Sequence, residues 1–222
     1  MLRQAAAGII DSRLKEQLLS ASTGALGVRI LSLFATLLSS VVLARVLGDE
    51  GYGLYVYALS VTTLLALPVQ VGIPTLVIRE TASAEAAGDW VALHSIREWA
   101  MRVNVLSGFA ISGAVLLYVF VGGTHLGSDG RIVLMLAAAL ILPVALISTL
   151  GATLLGLRWV ISGLYPIEVL RPLLISGFVM ASLFVRGDDL SPEIALGLNF
   201  IATLVVLLFL MLLMRRALLY TV

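Results

Sequence analysis

A few charged side chains lie within or at the edges of long apolar segments, where an ionised group is costly and usually serves a purpose. Arg29 lies about one turn into the first segment. Its guanidinium either extends toward lipid headgroups or faces inward, where its planar set of donors would hold an anionic phosphate. Glu168 and Arg171 lie one helical turn apart at the start of the fifth segment, and this spacing predicts a local ion pair. The arginine side chains are suited to binding anions.

Amide side chains also occur within these segments. Asn104 and Asn199 lie in the third and sixth segments, and Gln70 lies late in the second. Such amides more often hydrogen-bond a neighbouring helix than a ligand. We retain Asn104 and Asn199 as candidate cavity contacts. Pro172, directly after Arg171, suits the first turn of a helix.

Residues that enzymes use for metal or nucleophilic chemistry are sparse. The chain has no cysteine and two histidines, His94 and His125, which fall on opposite sides of the membrane in the topology below. The segment GDEGYG at 48–53 lacks the lysine and the strand–loop–helix setting of a phosphate-binding loop. The sequence therefore predicts no enzyme, no metal site and no cofactor.

The chain has six apolar segments that are each long enough to span a membrane as a helix. A helix that crosses roughly 30 Å of hydrocarbon needs about 20 mostly apolar residues. Hydrophobic residues make up 60% of the chain and charged residues 12%, about half the charge of a typical soluble domain. The pattern predicts an all-α polytopic membrane protein, a bundle of six transmembrane helices at about 24–46, 54–78, 103–121, 132–157, 169–185 and 193–214.

Basic residues predict the orientation, because cytoplasmic loops accumulate Lys and Arg. With the N-terminus inside, eleven of the 14 basic residues fall on the inner side, and three fall outside: Arg45, Arg131 and Arg186. Six spans return residues 215–222 to the cytoplasm. Residues 1–23 form a cytoplasmic segment that is either a helix on the membrane surface or a disordered tail. The inner connection from residue 79 to 102 is expected to form a surface helix.

Small residues recur at four-residue spacing in several spans. Ser148, Ala152 and Gly156 form one such stripe on span four, and hydroxyl-bearing stripes lie on spans one and two. Small stripes allow helices to approach closely. The hydroxyl faces of spans one and two could equally line a hydrated cavity, and periodicity alone leaves both interpretations open.

Two stretches carry a family resemblance. LLSSVVLARVLGDEGYGLYVYALSVTTLLALPVQVGIPTLVIRE, at 37–80, resembles the opening of Wzx-type oligosaccharide flippases of the multidrug/oligosaccharidyl-lipid/polysaccharide (MOP) exporter superfamily. YPIEVLRPLL, at 165–174, resembles the start of span five in many members. The motif positions singled out are Arg45, Gly48, Gly53, Tyr55, Gly72, Pro74 and Glu80 in the first stretch, and Glu168 and Pro172 in the second.

The resemblance implies transport of a polyprenyl-diphosphate-linked oligosaccharide across a bacterial or archaeal cytoplasmic membrane, for polysaccharide or O-antigen (lipopolysaccharide) biosynthesis. Members alternate access to a cavity between two six-helix bundles, so this chain would be the N-terminal half of a MOP/MATE-like transporter. Its implied partners are the lipid bilayer, the lipid-linked oligosaccharide, a C-terminal half or a second copy, and polysaccharide assembly proteins, with no nucleic acid. Arg29 is the leading implied diphosphate contact, followed by Arg79 and Arg171.

Two other functions remain open from the sequence. A cation-coupled drug exporter of the same superfamily would be expected to place an acidic residue deep in a bundle, whereas the acidic residues here fall in loops and at predicted span ends. A membrane subunit that only packs against a partner would transport nothing. Vesicle assays of lipid-linked sugar transport and of dye efflux separate these three functions.

Overall fold

The fold is all-α, as the sequence predicts. A computed structural model describes the backbone of residues 2–70, 72–121, 128–186 and 190–221, and the side chains of residues 23–68, 70, 72–121, 130–185 and 190–217. The helices are α1 Leu2–Gln70, α2 Ile73–Ala87, α3 Trp90–Val121, α4 Ser128–Gly156, α5 Val160–Tyr165, α6 Arg171–Arg186 and α7 Pro192–Thr221, with a π turn at Pro166–Leu170 between α5 and α6.

The first two membrane spans lie within α1, which reverses direction at Gly48. Gly48 has φ 66° and ψ −179°, a left-handed value of φ that favours glycine. Thr36 and Thr63, on either side of it, line one cavity, although a straight helix would separate them by about 40 Å. The predicted GDEGYG loop is therefore reduced to a bend at one residue.

This bend gives six membrane crossings. Five helical stretches are long and apolar enough to span a membrane, and the first of them, Thr23–Pro68, is the bent hairpin that crosses twice. The predicted six-span bundle is confirmed. The backbone of residues 2–22 forms the helical start of α1, while the side chains on which its predicted surface location rests lie outside the described residues.

The helix predicted at 54–78 is divided in the structure. Span two ends at Gln70, and α2 begins at Ile73 after Gly72, whose φ is 82°. Pro74 lies in the first turn of α2, where its missing N–H costs no intrahelical hydrogen bond. Hydropathy did not reveal this break, because α2 begins with apolar residues that continue the pattern of span two.

The prediction of one separate surface helix between residues 79 and 102 is wrong, because this region is divided between α2 and α3. α2 ends at Ala87 and is capped by Gly88, which has φ 68° and donates its N–H to the Glu85 carbonyl at 3.1 Å. Asp89 then caps α3, since its Oδ1 accepts from the Ala92 N–H at 2.9 Å. Trp90 begins α3, which runs without interruption into span three.

α4 lies at the centre of the bundle. It packs against the other two long single helices, α3 and α7, and against α1 and α2. Of its apolar window, 56% is buried, more than in any other candidate span of the described chain. The small stripe on α4 serves close packing: Ala152 is buried with Val77 of α2, and Gly156 lies against Thr81 of α2.

Replacing Gly156 with alanine is expected to destabilise the bundle by about 1–2 kcal/mol. A Cβ there would lie 2.7 Å from the Thr81 Cβ and 3.0 Å from the Ile78 carbonyl oxygen, and neither atom can swing away. Overpacking of this kind costs about 1–3 kcal/mol, which exceeds the helix-propensity gain of about 1 kcal/mol. Thermal unfolding in detergent measures the change.

The matched control is Gly177→Ala in α6, where a Cβ meets nothing within 4 Å. Its melting temperature should stay constant or rise, because only the propensity gain applies. Equal behaviour of the two variants would contradict the close approach of α2 and α4.

Candidate functional site

A cavity of about 280 Å³, with hydroxyl, amide and guanidinium groups in a partly apolar wall, lies between the two arms of the α1 hairpin and spans five and six. Its wall carries hydroxyl groups from both arms. This is the arrangement expected if the hydroxyl faces of spans one and two line a cavity. The polar residues that line it are Thr36, Ser39, Ser40, Tyr52, Tyr55, Thr62, Thr63, Arg171 and Asn199. The hairpin at Gly48 is what brings the two hydroxyl faces together.

A chain of hydrogen bonds links spans two, five and six at this cavity. Arg171 Nη2 donates to Asn199 Oδ1 at 3.3 Å, and Asn199 Nδ2 donates to the Tyr55 hydroxyl at 2.8 Å. Thr203 Oγ1 donates to the Asn199 backbone carbonyl at 2.8 Å. Tyr52 stacks on Tyr55, with ring centroids 6.5 Å apart. Asn199 therefore bonds neighbouring helices and lines the cavity at once.

Arg171 has donor capacity that the described protein does not use. Its Nε is buried without a hydrogen-bond partner, and no carboxylate of the described residues forms a salt bridge with it. The residue also lines a second cavity of about 260 Å³, together with Gln70, Ser148 and Glu168. An unpaired guanidinium within a bundle is costly, so this one is suited to an anion that enters either cavity.

A π turn directly precedes Arg171. The Arg171 N–H donates to the Pro166 carbonyl, five residues back. Pro166 and Pro172 both lack an N–H, so a regular α-helical pattern is interrupted on both sides of the turn. Turns of this kind occur frequently at functional sites. Span five therefore begins at Val160 and not near 169, and Pro172 lies well inside it, contrary to the first-turn position that was predicted.

The predicted ion pair between Glu168 and Arg171 is wrong. Glu168 Oε1 instead accepts from Arg29 Nη1 of span one at 2.6 Å. In a π turn, side chains three residues apart point in more different directions than they do in an α-helix. Glu168 therefore faces span one and not Arg171. The Arg29 side chain is 67% exposed and the Glu168 side chain 20%, and Glu168 Oε2 is buried without a partner.

The other two candidate contacts lie away from the cavity. Arg79 is exposed and pairs with its neighbour Glu80 at 2.7 Å. Asn104 is buried and donates to the Thr149 hydroxyl of α4, an interhelical hydrogen bond. Neither residue lines the two cavities at Arg171. Of the five candidates, the structure brings Arg171 and Asn199 together, and it connects Arg29 to this region through Glu168.

Several cavity residues were missed in the sequence. Ser39, Thr63 and the Tyr52 ring were not singled out, although Ser39 lies three residues from Thr36 and Tyr52 lies three residues from Tyr55. Within the described chain no three His, Cys, Asp or Glu side chains lie close enough to hold a metal ion. His94 hydrogen-bonds the Trp90 carbonyl in α3. His125 lies outside the described residues, as do residues 122–127 and 187–189 of the predicted outer loops at 122–130 and 186–192.

Residues 19–221 match the model of the polysaccharide biosynthesis protein family. Because this match covers nearly the whole chain, the protein belongs to that family. None of the curated proteins matches the chain.

The fold is similar to that of a solved transporter. A structure described as the outward-facing conformation of a multidrug resistance MATE family transporter of the MOP superfamily matches with a TM-score of 0.73 at 16% identity. The match covers 87% of this chain and 44% of that chain, so this chain spans less than half the length of its structural relative. The chain is therefore a multi-pass membrane protein of the polysaccharide biosynthesis protein family, and its fold is similar to that of part of this transporter.

Proposed function

We propose that the protein is a flippase for a polyprenyl-diphosphate-linked oligosaccharide and supplies one six-span half of the transporter. The observation that carries this proposal is the partly unpartnered Arg171 guanidinium at a hydroxyl-lined cavity. A diphosphate is the anionic part of such a lipid, and membership of a polysaccharide biosynthesis family favours a sugar cargo.

The cavity chemistry suits both parts of this substrate. Arginine binds phosphate oxygens with parallel donors, which fixes the headgroup more specifically than a point charge would. The serine and threonine hydroxyls of the α1 hairpin can exchange hydrogen bonds with sugar hydroxyls, and the Tyr52 and Tyr55 rings offer apolar faces to sugar C–H groups. A cavity of about 280 Å³ is too small for an oligosaccharide alone, so a second bundle would form the opposite wall.

The second bundle is either a C-terminal half or a second copy of this chain. Parallel repeats related by an axis along the membrane normal are a common arrangement in transporters. The bias of basic residues supports a cytoplasmic membrane location with both ends of the chain on the cytoplasmic side. In this orientation the Arg29–Glu168 pair lies toward the cytoplasmic mouth.

Transport of a labelled lipid in vesicles tests the proposal. Proteoliposomes receive a polyprenyl-diphosphate oligosaccharide with a fluorescent sugar, and a membrane-impermeant quencher reports which leaflet holds it. We expect the protein to move the diphosphate lipid between leaflets, which exposes its fluorescent sugar to the quencher. The transport rate of the matching uncharged polyprenyl glycoside should be at least tenfold lower, because only the diphosphate lipid engages Arg171. Equal rates for both lipids would overturn the proposed role of the diphosphate.

A cation-coupled small-molecule exporter is the second candidate. The observation that favours it is Glu168, which the sequence suggested was at a span end but which lies about 12 Å into span five and has a buried, unpartnered oxygen. Dye efflux driven by a proton or sodium gradient, measured in the same vesicles, distinguishes this function. Inactivity in both assays with a stably inserted protein would indicate a non-transporting subunit.

A further inference from the structure

A third, larger cavity lies between the inner ends of α3 and α7. It has a volume of about 760 Å³. Both helices pack on α4, whose Leu150 forms its floor. None of its lining residues lines the two cavities at Arg171, so this cavity is separate from the proposed substrate site.

One end of this groove is positively charged. Arg97, Glu98 and Arg102 line it from α3, and Arg215 lines it from α7. Glu98 is engaged by Arg102 at 2.9 Å, one turn away on the same helix. Arg97 and Arg215 form no hydrogen bond or salt bridge with the described residues. Two guanidinium groups on different helices therefore face the groove without a protein anion.

The rest of the groove is apolar. Met101 extends the wall on α3, and Leu208, Met211 and Leu212 form it on α7. Leu208 lies seven residues before Arg215, which corresponds to about 10 Å along the helix axis. The groove thus combines a basic end, at the level where the apolar run of α7 stops, with an apolar channel that extends toward the bilayer centre.

We propose that this groove binds an anionic phospholipid of the surrounding membrane. The phosphate would lie between Arg97 and Arg215, and an acyl chain would lie along Leu208 and Met211. Basic pockets between transmembrane helices on the cytoplasmic side are suited to acidic lipid headgroups, and the volume lies within the usual range for ligand sites. A packed protein helix fits less well, because it would have to supply carboxylates to both arginines while filling a channel of methionine and leucine side chains.

Lipid competition on the unaltered protein tests this inference directly. The purified protein is titrated with phosphatidylglycerol or phosphatidylcholine of identical acyl chains, and native mass spectrometry counts the retained lipids. We expect one phosphatidylglycerol to bind about tenfold or more tightly than phosphatidylcholine, with the preference weakened by salt. Equal retention of the two lipids would overturn the proposal, and so would a dimer that excludes lipid from the groove.

Variants identify the site. Arg97→Gln with Arg215→Gln is expected to reduce the phosphatidylglycerol preference at least tenfold, because each change removes a charge-assisted contact. Arg216→Gln is the matched control, since Arg216 is the exposed neighbour of Arg215 and does not line the groove. An equal loss in the control would assign the preference to general charge and refute this site.

A groove-filling variant covers the case in which the double variant does not fold. Met211→Trp leaves both arginines intact but occupies the channel where the acyl chain would lie. The variant should lower the occupancy of phosphatidylglycerol at least tenfold. Inorganic phosphate should not displace phosphatidylglycerol from either the unaltered protein or the variant. Competition by inorganic phosphate at comparable concentration would show a simple anion site and contradict the lipid proposal.

Discussion

Replacing Arg171 with glutamine is expected to lower transport of a diphosphate-linked lipid by about ten- to a hundredfold while leaving the melting temperature unchanged or higher. The loss follows from removing charge-assisted hydrogen bonds to the diphosphate, each worth about 1.5–3 kcal/mol. The stability should not fall, because the variant removes a buried cation that has no carboxylate partner among the described residues and an Nε without any acceptor.

The two readouts separate a binding role from a structural one. Transport is measured in the vesicle assay above, and thermal unfolding is measured in detergent without substrate. Arg171→Lys should recover part of the activity, since it restores the charge without the planar donors. Arg216→Gln, an exposed arginine outside the cavity, should transport normally. A variant of Arg171 that loses stability and transport together would instead identify the residue as a packing element of spans five and six.

The all-α class and the number of membrane crossings could be predicted from the sequence, because the bilayer sets a helix length that hydropathy detects. The helix boundaries could not. α2 continues the apolar pattern of span two, and only the backbone at Gly72 separates them. Span five begins at Val160 because its helix extends past the apolar run, which moves Glu168 from a predicted span end to the interior. Hydropathy measures transfer to lipid and not the continuity of a helix.

The candidate site was predicted in part. Arg171 and Asn199 were selected as polar residues in apolar segments, and they form a hydrogen bond across two spans. The contact itself depends on helix packing, which periodicity does not determine. The predicted Glu168–Arg171 pair assumed a regular α-helix, whereas the prolines on either side of the pair favour a π turn. The role of Gly48 as a single-residue reversal was equally hidden, since an extended loop would give the same hydropathy.

The ion pair between Arg29 and Glu168 is expected to respond asymmetrically to substitution. Arg29→Gln should destabilise the bundle by about 2–3 kcal/mol, because it leaves a mostly buried carboxylate without its cation. Glu168→Gln should cost less than about 1 kcal/mol, because the Arg29 side chain is 67% exposed and water can solvate it. The double variant should resemble Glu168→Gln alone.

A double-mutant cycle measures this coupling, and it also decides how Arg29 contributes to transport. If Arg29 contacts the diphosphate directly, then Glu168→Gln retains transport, and the double variant loses transport although its stability recovers. If Arg29 acts by holding span one against span five, then both single variants impair transport to the same extent, and the second substitution adds nothing. We expect the second pattern, because Arg29 lines neither cavity at Arg171 and its only described salt bridge is to Glu168. Equal destabilisation by the two single variants would contradict the asymmetric burial on which the prediction rests.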